Sequence, residues 1–359
     1  MPNDDANARR IPAAAILSFM TDAFRACGLP DADAKIVAGA MLDADLSGSD
    51  AHGIFRLAGY VRQLKAGNFN PRASIKVIER SPATALVDGD NGMGHLVMTY
   101  AANLAVEIAR EAGVAWVGVR RSNHSGAGST YVTIPLKHGM VGIYTAVSSS
   151  NFMAPWGGAE PLLGTNPIAV AIPAGKEAPV LLDIATSVVS NGQIRTYASQ
   201  GRPMPEGWVI SRATGEPITD GRRLEEGMFV PMGTYKGSGL AIVLGLLGGP
   251  LNRAAFGRDV KDTNAPATRE SNTGHFIVAL DVKRFLPLDA FKVEMDRHIH
   301  DLTSSRKLPG VDQIRIPGQG RQARYADREA NGVPLSPSLI KQVDELAKSL
   351  DITPLSARA

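Results

Sequence analysis

Apolar residues recur at three- and four-residue spacing along the N-terminal part of the chain. Ile16, Phe19, Met20 and Phe24 form one such stripe between Ile11 and Ala26, and Ile36, Val37, Ala40, Met41 and Ala44 form another after Asp31. Both predict amphipathic helices. Gly28 and Pro30 stop the first, Asp31 is placed to cap the second, and Gly48 interrupts it. A third helical pattern runs from about Ile54 to Lys65 and closes at Gly67, while the polar first ten residues are expected to fray.

Near Asn70 the period changes. Ser74–Glu79 and Thr84–Asp88, separated by Arg80-Ser81-Pro82-Ala83, read as a strand pair. A helix is predicted from about His95 to Glu111. Short β-rich runs then follow at Val114–Val119, Val141–Val147, Ile168–Pro173 and Val180–Ile184, with loops rich in Gly, Ser and Asn between them. Further helices are predicted at Tyr235–Leu247, Leu288–Ser304 and Ser336–Leu350, and a strand at His275–Val282. This divides the chain into an N-terminal helical region (1–70), a mixed α/β body (71–285) and a C-terminal helical segment (286–359) that packs with the N-terminal region. The strands do not alternate regularly with helices, which argues against a doubly wound sheet.

Composition narrows the function class. Of 359 residues, 44% are apolar and 20% charged, an ordinary globular balance, and the formal charge of +3 with no basic run gives no nucleic-acid footprint. The single cysteine, Cys27, can form neither an intramolecular disulfide nor a thiolate zinc site. No apolar run reaches the ~18 residues of a spanning helix, and the N-terminus lacks the apolar core of a secretory signal. A cytoplasmic enzyme with neither membrane nor nucleic-acid partner is expected.

Several familiar motifs fail. Asp88–Val97 approaches a dinucleotide fingerprint, but Val97 stands at the third glycine position and no acidic residue ends a second strand about twenty residues on, so a tight turn before a helix is favoured. Gly233–Gly239 has its lysine too early for a nucleotide-triphosphate loop, although Lys236 beside glycines at a helix start suits a phosphate. No HExxH, GxSxG or Tyr-xxx-Lys appears, and no metal site is expected.

Asp50-Ala51-His52-Gly53-Ile54-Phe55-Arg56 offers more. On a helix starting near Gly53, His52 and Arg56 would share one face. Histidine titrates near neutrality and suits proton exchange with a carbonyl oxygen, and arginine grips a carboxylate with a planar fork. On chemistry alone, a capping histidine and a surface arginine remain the alternative.

The order of the motifs adds a second line of argument. Asp50–Arg56, Ser122-Asn123-His124, Pro155-Trp156-Gly157, Gly164-Thr165-Asn166-Pro167, Leu182–Thr186, Tyr235–Gly239 and Ile316-Pro317-Gly318 closely resemble, in sequence, the type 2 malate/L-lactate dehydrogenase family. That family also contains ureidoglycolate, sulfolactate and diketogulonate oxidoreductases and cyclic imino acid reductases. The resemblance implies an α/β fold of the α+β type: a non-Rossmann nicotinamide-binding domain with a mostly antiparallel sheet, plus a helical domain built from both chain ends. It implies NAD or NADP as cofactor, a small 2-hydroxy or 2-oxo acid as substrate, and a homodimer. By motif match His52 is the proton donor and acceptor, Arg56 the carboxylate anchor, and His124 and Thr165 lie beside the substrate. The cofactor would meet His124, Ser125, Gly126, Ala127 and Gly128; Val180, Leu181, Leu182, Asp183, Ile184, Ala185 and Thr186; Tyr235 and Lys236; and Gly318, Gln319 and Gly320.

Three departures bear on substrate and cofactor. Ala51 replaces a serine that many relatives carry before the histidine, which alone would suit an already protonated imine. Gln193 stands where cyclic imine reductases carry aspartate, which argues against one. Neutral Gln319, near Arg321, replaces a commonly acidic residue, leaving NAD and NADP both open. The expected reaction is interconversion of a 2-hydroxy acid and its 2-oxo acid. The alternatives are reduction of Δ1-piperideine- or Δ1-pyrroline-2-carboxylate, and nucleotide binding without catalysis.

Overall fold

A computed structural model describes residues 8–262 and 270–358. Of the ten residues expected to fray, 1–7 lie outside the described residues, while Arg9 and Arg10 are in a strand. Arg9–Ile11 forms strand β1, paired antiparallel with a strand from the far end of the chain, Arg9 opposite Leu335 and Ile11 opposite Val333. Helix α1 (Ala13–Ala26) follows Pro12 and buries the forecast stripe of Ile16, Phe19, Met20 and Phe24. In α2 (Asp31–Leu46) the N-cap is Pro30, with Asp31 and Asp33 in the first turn, where their charge complements the helix dipole. The third helix differs from expectation. Two 3₁₀ turns, Asp50–His52 and Ile54–Arg56, precede α3 (Leu57–Lys65), and Gly53 breaks the chain between them with φ −91° and ψ −143°.

The body comprises β2 (Lys76–Arg80), β3 (Thr84–Asp88), α4 (Gly94–Ala112), β4 (Val114–Ser122), α5 (Gly128–Leu136), β5 (Met140–Ala146), β6 (Ile168–Ile172), β7 (Val180–Ile184), α6 (Asn191–Ser199), β8 (Val209–Ser211), β9 (Gly227–Phe229), α7 (Tyr235–Gly248) and β10 (Thr273–Asp281). Seven strands form one sheet in the order β2-β3-β4-β10-β5-β6-β7. Only β3 and β4 are parallel, because α4 carries the chain back between them; every other neighbouring pair is antiparallel. This is the mostly antiparallel sheet the resemblance implied. β8 and β9 form a separate ribbon.

The chain closes with α8 (Leu288–Ser304), α9 (Gln319–Asn331), β11 (Val333–Leu335) and α10 (Pro337–Leu350). Asp296 on α8 accepts the backbone N–H groups of Gly175, Lys176 and Glu177, which fixes that helix to the turn joining β6 and β7. Three apolar cores result. One gathers α1, α2 and α3 with Val333, Leu335, Ile340, Val343 and Leu355, so residues from both chain ends share it. A second sits between the sheet and α4 and α5, and a third joins α6, β8 and β9 to Met153 and Leu163. Among the described residues no helix is long and apolar enough to cross a membrane.

Candidate active site

The turn bearing His52 is built around a buried carboxylate. Asp45, 1% exposed near the end of α2, accepts the Ile54 backbone N–H at 2.9 Å. A Cβ on Gly53 would overlap that carboxylate, so residue 53 can carry no side chain. Arg328, buried on α9, donates to the Asp45 carbonyl oxygen and to the Asp50 carboxylate, clamping the turn from its other side. Burial pushes the Asp45 carboxyl well above its usual range. His52 and Arg56 therefore do not share the single helix expected of them; each ends its own 3₁₀ turn, one on either side of Gly53.

His124 is positioned by the turn that resembled a dinucleotide fingerprint. Asn123, fully buried beyond the end of β4, donates to the Asn91 carbonyl at 3.0 Å, the Asn91 side-chain oxygen at 3.0 Å and the Gly92 carbonyl at 2.8 Å. Its own side-chain oxygen accepts from Ser271 Oγ at 2.7 Å. A side chain at Gly94 would strike the Asn123 carbonyl. These glycines permit close backbone packing, and the tight-turn reading accounts for the motif.

The two site histidines stack, their ring centroids 5.5 Å apart and the planes inclined by 22°. Tyr60 on α3 brings its hydroxyl to 2.6 Å from His124 Nδ1, and its ring meets the buried His95 edge-on at 5.2 Å. Gly126, at φ +76°, passes so close to His95 that a Cβ there would lie 2.9 Å from Nε2. Behind His124, Ser125 Oγ pairs with the Tyr144 hydroxyl at 2.7 Å, and that hydroxyl with His275 Nδ1 at 3.2 Å.

Burial dominates the electrostatics. It lowers the His52 pKa below the ordinary 6.5; the Asp183 carboxylate opposes the shift and the Arg56 guanidinium adds to it. His124 is held well below its ordinary value by burial, then by Arg56 and His52. His95 and His275 are each pushed down to about 3, chiefly by burial. Nδ1 of His52 and both ring nitrogens of His95 are buried without a hydrogen-bond partner.

Two cavities flank these groups. One, of about 180 Å³, is lined by Arg56, Tyr60, Arg62, Gln63, His124 and Arg195, among others. Among the described residues no carboxylate lies within ion-pair distance of its three arginines, so the cavity suits an anion. The other, of about 220 Å³, is lined by Ser47, Gly48, Ser49, Leu181, Asp183, Gly318, Gly320, Arg321 and Arg324. Gly318, at φ +98°, lies against β7, where a Cβ would stand 3.0 Å from that of Leu181. Asp183 accepts the Ser129 N–H at 2.8 Å, and Arg321 reaches Ser129 Oγ at 2.6 Å and Asp43 at 2.9 Å. A glycine-lined wall, small hydroxyls and two guanidiniums are a donor set for phosphate and ribose oxygens.

Some of the residues singled out by sequence converge here. Arg56 and His124 line the first cavity, with His52 stacked on His124, while Leu181, Asp183, Gly318 and Gly320 line the second. Val180, Leu182 and Ile184 are out of phase on β7 and do not line it. The Gln319 side chain turns back to accept the Ile316 N–H at 3.1 Å. Thr165 lies farther along: its hydroxyl pairs with Ser148 Oγ at 3.1 Å and its carbonyl accepts both donors of Thr186. Thr186 in turn accepts the Met232 N–H, which ties in the loop before α7 with its exposed Tyr235 and Lys236. No hydrogen bond joins Tyr235 or Lys236 to the site histidines. Tyr60, His95, Arg195 and Arg324 were not singled out by sequence; Tyr60, four residues after Arg56, had a helical spacing that could have marked it.

Comparison with known proteins places the chain among characterised relatives. The family model described as malate/L-lactate dehydrogenase matches residues 11–344. A protein named malate dehydrogenase from Pyrococcus abyssi is 38% identical, with 97% of each chain covered. An L-sulfolactate dehydrogenase from Methanocaldococcus jannaschii is 35% identical over 93% of this chain and 95% of its own. The solved structure of malate dehydrogenase from Pyrococcus horikoshii superposes with a TM-score of 0.90 at 34% identity, covering 99% of both chains.

Proposed function

The chain belongs to the malate/L-lactate dehydrogenase family and is an oxidoreductase, and from that premise we propose that it interconverts a small 2-hydroxy acid and its 2-oxo acid, with NAD or NADP as hydride carrier. The observation that carries this reading is the first cavity: three guanidiniums with no carboxylate partner among the described residues face the same space as His124, which stacks on His52. Such a cavity favours a carboxylate and has the His124 ring beside it as a hydrogen-bonding group.

The second cavity fits the cofactor. Gly318, Gly320, Leu181 and Asp183 would form its walls, with Arg321 and Arg324 toward phosphate oxygens. When bound, the nicotinamide group supplies or receives the hydride. Arg56 holds the substrate carboxylate by two parallel hydrogen bonds, which fixes the neighbouring carbonyl. His52 gives a proton to that carbonyl oxygen during reduction and takes it back during oxidation. Its lowered pKa leaves it neutral near pH 7, ready to act as base, while Asp183 supports the protonated form needed for reduction. Aligned stacking against His124 keeps the ring in place where no hydrogen bond to Nδ1 does.

The test is a panel of open-chain 2-oxo acids and cyclic imine carboxylates, each followed by nicotinamide absorbance with NADH and with NADPH. Turnover of one or more open-chain 2-oxo acids is expected. Much faster reduction of Δ1-piperideine-2-carboxylate than of any 2-oxo acid would replace this reading with the imine one, and cofactor binding without turnover of anything in the panel would also count against it.

A further inference from the structure

A hydroxyl and a backbone N–H converge on one nitrogen of His124, and we propose that Tyr60 is a positioning residue that fixes this ring as the neutral Nε2–H tautomer. His124 then acts as a stationary hydrogen-bond donor to the substrate oxygen and leaves proton transfer to His52. The role toward substrate rests on the 2-oxo-acid reading above; the tautomer does not.

The Tyr60 hydroxyl lies 2.6 Å from His124 Nδ1, and the Gly126 backbone N–H points at the same atom from 3.4 Å. A backbone N–H can only donate, so the nitrogen it faces has to accept. The opposite tautomer would set the Nδ1 proton against the Gly126 proton. With Nδ1 as acceptor, the single proton of a neutral imidazole resides on Nε2. Tyr60 can hold this role because burial raises its pKa above 10, which keeps the phenol protonated and able to donate. It is also well anchored, 2% exposed in α3 with its ring edge-on to His95.

The same surroundings separate the two stacked histidines. Arg56, His52, His95 and His275 all disfavour charge on His124, adding to its burial. His52 has an opposing influence, the Asp183 carboxylate, which favours its protonated form. Two rings 5.5 Å apart resist being charged together, so one proton carrier and one fixed donor is the division this environment favours. Tyr60 thus joins the binding and proton-transfer parts of the site: the Arg56 guanidinium carbon lies 5.8 Å from its ring centroid, and its hydroxyl holds the second histidine.

The direct test is the side-chain ¹⁵N spectrum of the full-length protein near neutral pH, with the His124 signals assigned by their loss in His124→Gln. The expected pattern is a pyridine-like Nδ1 and a pyrrole-like Nε2. A pyrrole-like Nδ1 in the wild type would overturn the proposal, whatever any variant does. Tyr60→Phe keeps the ring and removes the donor. It should give a mixture of tautomers and lower kcat about tenfold, of the order of one hydrogen bond, with cofactor affinity unchanged. A Tyr60→Phe spectrum identical to the wild type at His124 would likewise overturn it. Turnover of the 2-oxo-acid panel is read separately: its absence would remove the 2-oxo-acid reading without touching the tautomer.

Discussion

Arg56 ends the 3₁₀ turn that follows Gly53, lines the cationic cavity and lies over the face of Tyr60. A lysine there would keep the charge but lose the planar fork that grips both carboxylate oxygens. Arg56→Lys should therefore lower kcat/KM for the 2-oxo acid by about 10–100-fold, roughly the worth of one hydrogen bond to a charged group. Fluorescence titration should show cofactor affinity unchanged; weaker cofactor binding with an unaltered substrate KM would assign Arg56 to the other ligand. Ala51 also gains a physical account at this scale. Its Cβ lies 2.6 Å from where one on Gly192 would stand, so the turn packs directly on the start of α6. With no hydroxyl at position 51, the His52 ring is oriented by its stacking on His124.

Elements with a strong apolar period were legible in the sequence. The stripes of α1 and α2, the runs that became β2 through β7, and helices α4, α7, α8 and α10 all lie within a few residues of their forecast positions. The helices that went unforecast lack that signal. In α9 only Arg328 is fully buried, and its work is ionic rather than apolar. The α5 segment opens with a glycine and contains Pro135, so it read as a loop. The candidate site was legible as a set of motifs and not as a geometry. His52 and Arg56 have helical spacing, yet the Asp45 carboxylate occupies the space beside Gly53 and takes the Ile54 N–H, a tertiary contact that overrides the local period. Tyr60 and His124 meet across a sequence separation of 64, and Arg195 reaches the cavity from α6, which no local pattern announced. The turn from Asp88 to Gly94 was legible as a turn, but its task of holding Asn123 was not.

At the scale of the whole molecule, four histidines have pKa values lowered chiefly by desolvation, the half-buried His52 and His124 and the buried His95 and His275. The unfolded chain binds protons at these rings near the ordinary 6.5, whereas the native fold resists them, down to about 3 for His95 and His275. Their depressed folded values make stability full above 6.5 and progressively lost as pH falls toward 3. Thermal unfolding should accordingly show Tm falling from about pH 7 to about pH 5, ahead of the range where surface carboxylates titrate; a flat Tm across that interval would contradict the buried neutral rings. The central claim joins this fold to its chemistry: a turn fixed by Asp45 and Arg328 presents His52 as the proton-transfer group. Its most direct test is the turnover of His52→Asn with the best 2-oxo acid of the panel, measured beside NADH and NADPH affinity by fluorescence. The account predicts a kcat lower by ~10²–10⁴-fold with cofactor binding retained, and a His52→Asn enzyme turning over at the wild-type rate would contradict it.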